Sequence, residues 1–146
     1  PKSIFVANFV GGANFLEGFI AERDQHGSWA QLRNGLIVRI KEAAFLPGER
    51  VVLAVREEMI EIIRRRRERQ EVNIFSGTIR STSFLGSFIA YEILLDNGDS
   101  VNSRIPVYLH EKSISTGDRV YVHLRPERIK TYRYPEAGLF GELEVI

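Results

Sequence analysis

Residues 48–60 read GERVVLAVREEMI and residues 117–129 read GDRVYVHLRPERI, so the chain carries one phrase twice. Both copies follow the pattern Gly-acid-Arg-Val-x-x-x-x-Arg-x-Glu-x-Ile at a constant offset of 69 (117 − 48). Each copy predicts a turn, then a strand with apolar residues facing a core, then a closing Arg-x-Glu segment. Two copies in one short chain indicate a duplicated small β unit.

Two further matches follow in the same order along the chain. Residues 14–20 (NFLEGFI) resemble residues 73–79 (NIFSGTI) at an offset of 59 (73 − 14), and the Asn-Gly turns at Asn34 and Asn97 lie 63 apart (97 − 34). The order is kept while the offset grows, as expected for a second copy with loop insertions. These matches favour a true duplication; the alternative is two unrelated hairpins that share their turn chemistry.

Alternating apolar residues around the Asn-Gly turns indicate β-hairpins. Residues 29–40 and 88–107 each contain two strand-like stretches joined at such a turn, because Asn-Gly supplies the positive φ values that a tight turn requires. Two stretches have a different pattern. Ser3 can cap a short N-terminal helix that ends at Gly11-Gly12, and the charged residues 59–70 are helix-like.

Composition excludes several classes of protein. The chain has 146 residues, 44% of them hydrophobic and nine of them Phe, enough for the core of one compact domain or two intimate half-domains. A net charge of +1 creates no overall field that attracts nucleic acid or an anionic membrane. The absence of cysteine removes disulfides and Cys-ligated zinc and suits a reducing cytosol.

The ends of the sequence suggest a piece of a larger protein. The N-terminal residues do not resemble a signal peptide, and no stretch is long and apolar enough to cross a bilayer. The chain does not begin with Met, so we expect a fragment or a processed product.

The sequence predicts no catalytic, metal or cofactor residue in this chain. His26, His110 and His123 stand singly, without the spacing that places two ligands on one face. A Gly-x-Ser-x-Gly motif is absent, and so is a Gly-rich phosphate loop ending in Gly-Lys-Ser/Thr. We therefore do not expect the chain alone to bind or hydrolyse ATP by that route.

One run of positive charge is a candidate binding patch for phosphate, lipid headgroups or nucleic acid. It consists of Arg64, Arg65, Arg66 and Arg67. The alternative is a solvated linker face, because Glu57, Glu58 and Glu61 precede the run at spacings that allow ion pairs along a helix.

A second candidate is a small-oxyanion site in the stretch between two predicted strands. Its residues are Ser81, Thr82, Ser83 and Gly86. Hydroxyls and the backbone N–H groups beside a glycine can hold an oxyanion. The alternative is a strand-turn-strand crossing, in which small residues only permit the bend.

Four blocks, in order, resemble the C-terminal region of ATP-binding subunits of ABC importers. They are residues 5–18, 53–58, 83–91 and 117–127. Residues 53–58 resemble that family's Val-Arg-Pro-Glu phrase with Glu57 in place of Pro, and residues 124–127 keep Arg-Pro-Glu. This region is the TOBE domain, an OB-like β-barrel module that also occurs in molybdate-binding proteins. The resemblance extends from Ile4 to about Tyr132.

The resemblance implies a mostly β fold, an OB-like or MOP-like β-barrel built from two related halves with a short N-terminal helix. We expect residues 1–13 to be the end of an ATPase domain or a linker helix. Residues 14–62 would form the first half, residues 63–72 a charged linker, and residues 73–146 the second half with a C-terminal tail.

The resemblance also implies a function. The chain would be the C-terminal regulatory and dimerisation domain of an importer's ATP-binding subunit, in the cytoplasm on the inner face of the cell membrane. ATP and Mg²⁺ would bind the ATPase domain outside this chain. The partners would be a second ATPase subunit and the membrane-spanning transporter subunits.

For the repeated Arg-x-Glu segments the resemblance implies a regulatory or interface role, and the alternative is that they pin the end of a strand through charge-assisted hydrogen bonds. These residues are Arg56, Glu58, Arg125 and Glu127. Two other functions stay open: a sensor of a small oxyanion or solute, using residues 81–86 or the cleft between the halves, and an OB-type nucleic-acid binder that uses residues 64–69.

Overall fold

A computed structural model describes residues 12–64, 71–109 and 114–135. These residues form β-strands joined by turns and loops. The ten strands are β1 (Ala13–Asp24), β2 (Gly27–Leu32), β3 (Ile37–Ile40), β4 (Arg50–Arg56), β5 (Glu61–Ile63), β6 (Ile74–Phe84), β7 (Phe88–Leu95), β8 (Ser100–Pro106), β9 (Arg119–His123) and β10 (Lys130–Arg133). Short 3-10 turns are the helical elements of the described residues. The mostly β fold is therefore confirmed, whereas the predicted N-terminal helix falls on residues 1–11, outside the described part.

The strands form two five-stranded antiparallel sheets that exchange one strand each. The first sheet has the order β10-β4-β1-β2-β3 and the second has the order β5-β9-β6-β7-β8. We call β1–β5 the first half and β6–β10 the second half. Each half supplies four strands to its own sheet and sends its fifth strand to the edge of the other sheet. Neither sheet is therefore complete without residues from both halves.

The duplication predicted from the sequence is confirmed by matching backbone hydrogen bonds. Gly48 N donates to Ile20 O at 2.7 Å, and Gly117 N donates to Ile79 O at 2.8 Å. The pairing of β1 with β2 shifts register just after Ile20, and that of β6 with β7 shifts just after Ile79. The same β-bulge thus bends the long strand of each half at the same place. Two unrelated hairpins would not share these details.

The glycine that opens each repeated phrase is required by backbone conformation. Gly48 has φ of 88° and Gly117 has φ of 93°, in the left-handed region that other L-residues rarely adopt. A Cβ atom at either position would meet nothing within 4 Å. The turn geometry alone therefore explains why both copies begin with glycine.

One continuous hydrophobic core fills the space between the sheets. Both halves contribute fully buried side chains to it, among them Ile20, Leu53, Ile79 and Leu124, each at most 1% exposed. Residues of the repeated strands β4 and β9 face this core, as their apolar pattern predicts. The two halves consequently share their main source of stability.

Two buried asparagines tie the halves together through main-chain groups. Asn14 Nδ2 donates to Asn102 O at 2.9 Å, and Asn102 N donates to Asn14 Oδ1 at 2.7 Å. Asn73, its counterpart, makes the same pair of bonds with Arg39, at 2.8 and 2.7 Å. Each asparagine thus pairs with both the N–H and the C=O of one residue in the other half. An apolar side chain at the same buried position could not form these bonds, which explains why the repeat keeps an asparagine.

The Asn-Gly turns of the two halves contact each other. Asn34 Nδ2 donates to Asn97 O at 2.6 Å, and Asn97 Nδ2 donates to Arg33 O at 2.9 Å. Both turns join strands of a hairpin as predicted, since β2 pairs with β3 and β7 with β8. The two turns therefore form a second hydrogen-bonded contact between the halves.

The helix-like interpretation of residues 59–70 is wrong where the structure describes them. Glu57–Met59 forms a 3-10 turn and Glu61–Ile63 forms β5. Helical ion pairs contribute only about 0.2–0.5 kcal/mol each, while Ile60 and Ile63 are buried in the present arrangement and β5 gains the hydrogen bonds of β9. Burial and strand pairing therefore outweigh the local charge pattern. Residues 65–70 lie outside the described part.

The described residues contain no helix that could span a membrane. The boundaries predicted for the two halves and the linker stay a prediction, and the exchanged strands β5 and β10 lie close to the ends of those ranges.

We expect Asn14→Ala to lower the free energy of unfolding by about 2–3 kcal/mol, because it leaves buried backbone groups of the partner half without a hydrogen bond. Urea denaturation of the purified chain measures this change. Asn102→Ala is the matched control, since the Asn102 backbone makes the bonds to Asn14 and its side chain is exposed. An equal loss in both variants would contradict the role of Asn14.

Candidate functional site

The repeated Arg-x-Glu segments form two matching corners of the fold. Each strand of the phrase ends in a 3-10 turn, Glu57–Met59 after β4 and Pro126–Arg128 after β9. Ile60 N donates to Glu57 O at 3.4 Å and Ile129 N donates to Pro126 O at 3.2 Å. Glu57 thus forms the same turn as Pro126, although it lacks the fixed φ of proline.

A cleft of about 350 Å³ lies between these corners. It exists because β5 leaves the first corner and pairs with β9, the strand that leads into the second corner. The apolar residues that line the cleft are Met59, Ile60, Ile62, Ile105, Pro106 and Leu109. The charged residues that line it are Glu58, Glu61, Arg104, Arg125 and Arg128. Its volume is within the range of small-molecule sites.

The structure brings together one predicted residue from each corner. Glu58 and Arg125 both line the cleft. Glu127 instead lines a second depression, which is the counterpart of the cleft in the duplicated fold. Arg56 is half-buried at the end of β4 and lines neither. An interface or regulatory role for these four residues stays a prediction.

The counterpart depression differs from the cleft in its chemistry. Thr131 Oγ1 donates to Glu42 Oε2 at 3.2 Å across it. At the corresponding positions the cleft has Ile62 and Ile105 (131 − 69 and 42 + 63), which cannot make such a bond. The duplicated halves have therefore diverged here. The cleft has apolar side chains where its counterpart has a hydrogen-bonded pair.

The charges of the cleft are only partly paired with each other. Arg125 Nη2 donates to Glu61 Oε2 at 3.1 Å, and Arg104 Nη2 lies 4.0 Å from Glu57 Oε1. Within the described ranges, neither Arg128 nor Glu58 forms an ion pair, and the buried Nε of Arg104 has no hydrogen-bond partner. The cleft thus presents an unpaired guanidinium, that of Arg128, and an unpaired carboxylate, that of Glu58, beside apolar side chains.

His123 lies beside the cleft but is buried in β9. Its side chain is 5% exposed, and Nδ1 lies 3.4 Å from both Glu61 Oε2 and Glu71 Oε2. Among residues 12–64, 71–109 and 114–135, no three acidic, His or Cys side chains are placed to hold a metal ion. The sequence left a cleft between the halves open as a possible site but did not name its residues, because they come together only when β5 crosses to the other half.

The predicted oxyanion residues lie along a strand and a hairpin turn rather than around a cavity. Ser81, Thr82 and Ser83 are exposed in β6, opposite Glu92, Tyr91 and Ala90 of β7. Successive side chains of a strand point to opposite faces, so these three hydroxyls do not converge. Gly86 is in the turn that follows, with φ of 79°. Oxyanion binding by these four residues stays a prediction.

Of the predicted basic patch, only Arg64 belongs to the described residues. Its Nη1 lies 3.5 Å from Asp118 Oδ2. Arg65, Arg66 and Arg67 lie outside the described part, and the nucleic-acid interpretation stays a prediction.

Lowered carboxyl pKa values occur at exposed turns away from the cleft. Arg119 donates two hydrogen bonds to Asp96, at 2.6 and 2.7 Å, and this pairing holds the pKa of Asp96 below its usual 3.8. Arg39 lowers the pKa of Asp24 in the same way, through a bond of 2.9 Å. Both shifts come from ion pairs that stabilise the ends of strands, so they do not indicate a functional site.

These features define a class: a small duplicated β-barrel module with exchanged strands and a charged cleft between its repeated corners. A family model described as "TOBE domain" matches residues 53–130, more than half of the chain. The chain belongs to the TOBE domain family.

The curated relatives are similar to this chain over part of their length. The spermidine/putrescine import ATP-binding protein PotA 2 of Pseudomonas aeruginosa is 29% identical over 107 residues, covering 73% of this chain and 30% of the relative. The PotA protein of Lawsonia intracellularis is 32% identical over 127 residues, covering 84% and 34%. The chain thus spans about a third of the length of these relatives.

A solved structure confirms the fold. The cytoplasmic molybdate-binding protein ModG, with molybdate bound, superposes with a TM-score of 0.74 at 12% identity and covers 84% of this chain and 96% of its own. The OB-like barrel of two related halves is therefore confirmed.

We expect the Asp96–Arg119 pair to stabilise the fold in a pH-dependent way. Because the pKa of Asp96 is lowered, its contribution is full above the ordinary value of 3.8 and is lost as the pH falls through the lowered pKa. Asp96→Asn should therefore slightly lower the free energy of unfolding in urea at about pH 7, and this effect should be smaller at about pH 3. The exposed Glu22→Gln, which removes no ion pair that the structure shows, is the control. An effect of Asp96→Asn that is equal at both pH values would contradict this.

Proposed function

We propose that this chain is the C-terminal regulatory and dimerisation domain of the ATP-binding subunit of an ABC importer. The observation that carries the proposal is the TOBE domain match together with the alignment to ATP-binding proteins of spermidine/putrescine import. In the full-length subunit an ATPase domain binds ATP and Mg²⁺, and the subunit acts as a homodimer with membrane-spanning partners at the cytoplasmic face of the membrane.

The exchanged strands suit a regulatory role. A shift of one half must move the strand that it supplies to the other sheet, so the two halves respond together. The repeated corners lie where β5 crosses between the halves. A ligand or subunit that binds in the cleft therefore contacts both halves at once. Such binding can change the position of both halves together.

Deleting this chain from the full-length subunit should leave ATP binding intact and reduce solute uptake, or its coupling to ATP hydrolysis, by about 5-fold or more. Uptake of labelled solute and ATP hydrolysis, measured in the same proteoliposomes, test this. The intact subunit is the reference, and MgATP titrated into the chain alone should show no binding. Tight ATP binding with hydrolysis by the chain alone, or unchanged coupling after deletion, would overturn the proposal.

The second candidate function is an anion sensor in the cleft. Arg104, Arg125 and Arg128 line it, and among the described residues Arg128 forms no ion pair. The molybdate-binding protein ModG has a similar fold, which makes oxyanions the first ligands to test. Anion binding at this position would report on both halves, because the cleft is built from both corners.

Thermal shift with molybdate, tungstate, sulfate and phosphate tests this candidate. An anion present at about 100 times its Kd should stabilise the chain by about 2.7 kcal/mol and raise the Tm by several degrees. Arg128→Gln should remove the shift. Lys41→Gln should retain it, because Lys41 lines the counterpart depression. No shift with any of the four anions, or equal loss in both variants, would reject the cleft as their site.

A further inference from the structure

A second pocket, of about 420 Å³, lies beside strand β1 in the first sheet. We call it the Phe19 pocket, and its charged, amide and aromatic lining residues are Glu17, Phe19, Gln31, Arg33 and Arg50. Phe19 pairs with Arg50 of β4 on one side and with Gln31 of β2 on the other, so three neighbouring strands form the pocket. None of these residues lines the cleft between the repeated corners.

In the second half, the equivalent place holds a carboxylate of the chain itself. Arg119, the counterpart of Arg50 (119 − 69), donates to the two carboxylate oxygens of Asp96 at 2.6 and 2.7 Å. Arg119 Nη1 also donates to Thr78 Oγ1 at 3.0 Å. An arginine at this position of the fold therefore binds a carboxylate through two parallel hydrogen bonds.

The first half keeps the arginine, Arg50, but has no carboxylate at the equivalent position. The counterpart of Asp96 is Arg33 (96 − 63), and the counterpart of Thr78 is Phe19 (78 − 59). The internal anion has thus been replaced by a second guanidinium, and the hydroxyl by an aromatic ring. The pocket has room for an anion from outside the chain.

The strand registers support these correspondences. Gly18 pairs with Leu32 in the first half, and Gly77 pairs with Leu95 in the second. Leu32 N donates to Leu36 O at 2.7 Å, and Leu95 N donates to Asp99 O at 2.8 Å. The residues that follow the two leucines, at positions 33 and 96, therefore begin the same turn.

Both arginines of the Phe19 pocket have donors to offer. Arg50 Cζ lies 3.8 Å from the centre of the Tyr134 ring, and within the described ranges Arg50 forms no ion pair. Stacking uses the face of a guanidinium and leaves its in-plane N–H groups for other partners. Arg33 is 63% exposed at its side chain, and only its Nε lies near a carboxylate, 3.8 Å from Asp99 Oδ1.

Glu17 and Phe19 restrict the kind of anion. The lining has two arginines and one glutamate, a net charge of +1 (2 − 1), which a monoanion balances. A second negative charge on the ligand would be repelled by the Glu17 carboxylate. The Phe19 ring is 40% exposed, and an aromatic ring of the ligand can stack against it.

We propose that the Phe19 pocket binds a small aromatic monocarboxylate. The ligand carboxylate accepts hydrogen bonds from Arg50 and Arg33, in the position that Asp96 has in the second half, and the ligand ring packs on Phe19. The proposal goes beyond the regulatory function proposed above and does not depend on it.

Benzoate is the probe, and two-dimensional amide NMR of the 146-residue chain measures its binding. A ligand of this size should bind with a Kd of about 1 mM. Amide signals of residues 17–19, 31–33 and 48–50 should shift, while those of residues 76–78 and 117–119 should not. Acetate should bind about fivefold more weakly or worse, and benzyl alcohol, which has the ring without the carboxylate, should not bind.

Matched variants test the arginines. Arg50→Gln should weaken benzoate binding about tenfold or more, because it removes the bidentate donor. Arg119→Gln is the matched control and should leave the Kd unchanged. Arg33→Asp should also abolish binding, since it supplies an internal carboxylate like that of Asp96. Arg128→Gln, in the cleft, should retain the wild-type Kd.

A further variant tests the ring. Phe19→Thr introduces the residue of the second half at this position and should reduce benzoate binding to the level of acetate. Thermal unfolding of every variant without ligand checks that it is folded. Full benzoate affinity in Phe19→Thr, or acetate that binds as tightly as benzoate, would overturn the aromatic class of ligand.

Three other results would overturn the site itself. They are no amide shifts at about 20 mM benzoate, equal losses in Arg50→Gln and Arg119→Gln, and a loss in Arg128→Gln, which would assign benzoate to the cleft. In each case the deletion experiment on the full-length subunit can still succeed. Failure of this proposal and failure of the proposed function are therefore distinguishable.

Discussion

The exchange of β5 and β10 between the sheets is the constraint on which the rest of the structure depends. Each of these strands is short, three and four residues, and is held by hydrogen bonds to a strand of the other half. The exchange places the core between the halves rather than inside each of them. It also brings the two repeated corners together and thereby creates the cleft. A pair of independent barrels with the same sequence repeats would have neither feature.

Duplication supplies the scaffold, and its departures from symmetry indicate where function has been added. The paired asparagines, the bulges and the glycine turns are kept in both halves. Three places differ. The cleft has Ile62 and Ile105 where its counterpart has the Glu42–Thr131 bond, and the second hairpin ends in the exposed Phe84 and Leu85. Arg119 binds Asp96, whereas Arg50 at the equivalent position stacks on Tyr134 at 3.8 Å. Residues that form hydrogen bonds with the backbone or allow its turns have thus been retained, while exposed residues have diverged.

The sequence predicted the repeat, the hairpins and the barrel class, because turn chemistry and alternation are local and recur at fixed offsets. It predicted the wrong structure around Glu61, because the pattern of charges there is helical, whereas the strand pairing comes from His123 in β9, 62 residues away (123 − 61). A cleft between the halves was one of the possible sites, but its residues could not be named for the same reason. Glu58 and Arg125 both line it, and only the strand crossing joins them.

The crossing strands also determine how the molecule can be made. While the first half leaves the ribosome, β4 has one edge without a neighbour, because β10 begins 74 residues after β4 ends (130 − 56) and is the last strand of the described residues. β5 is likewise made long before β9, the strand to which it pairs. An unpaired strand edge invites association with other chains, and contacts between residues distant in sequence slow folding. The chain is thus most prone to aggregation after the first half has been synthesised and before β9 and β10 follow. Pairing of β9 with β5 and of β10 with β4 then covers the open edges.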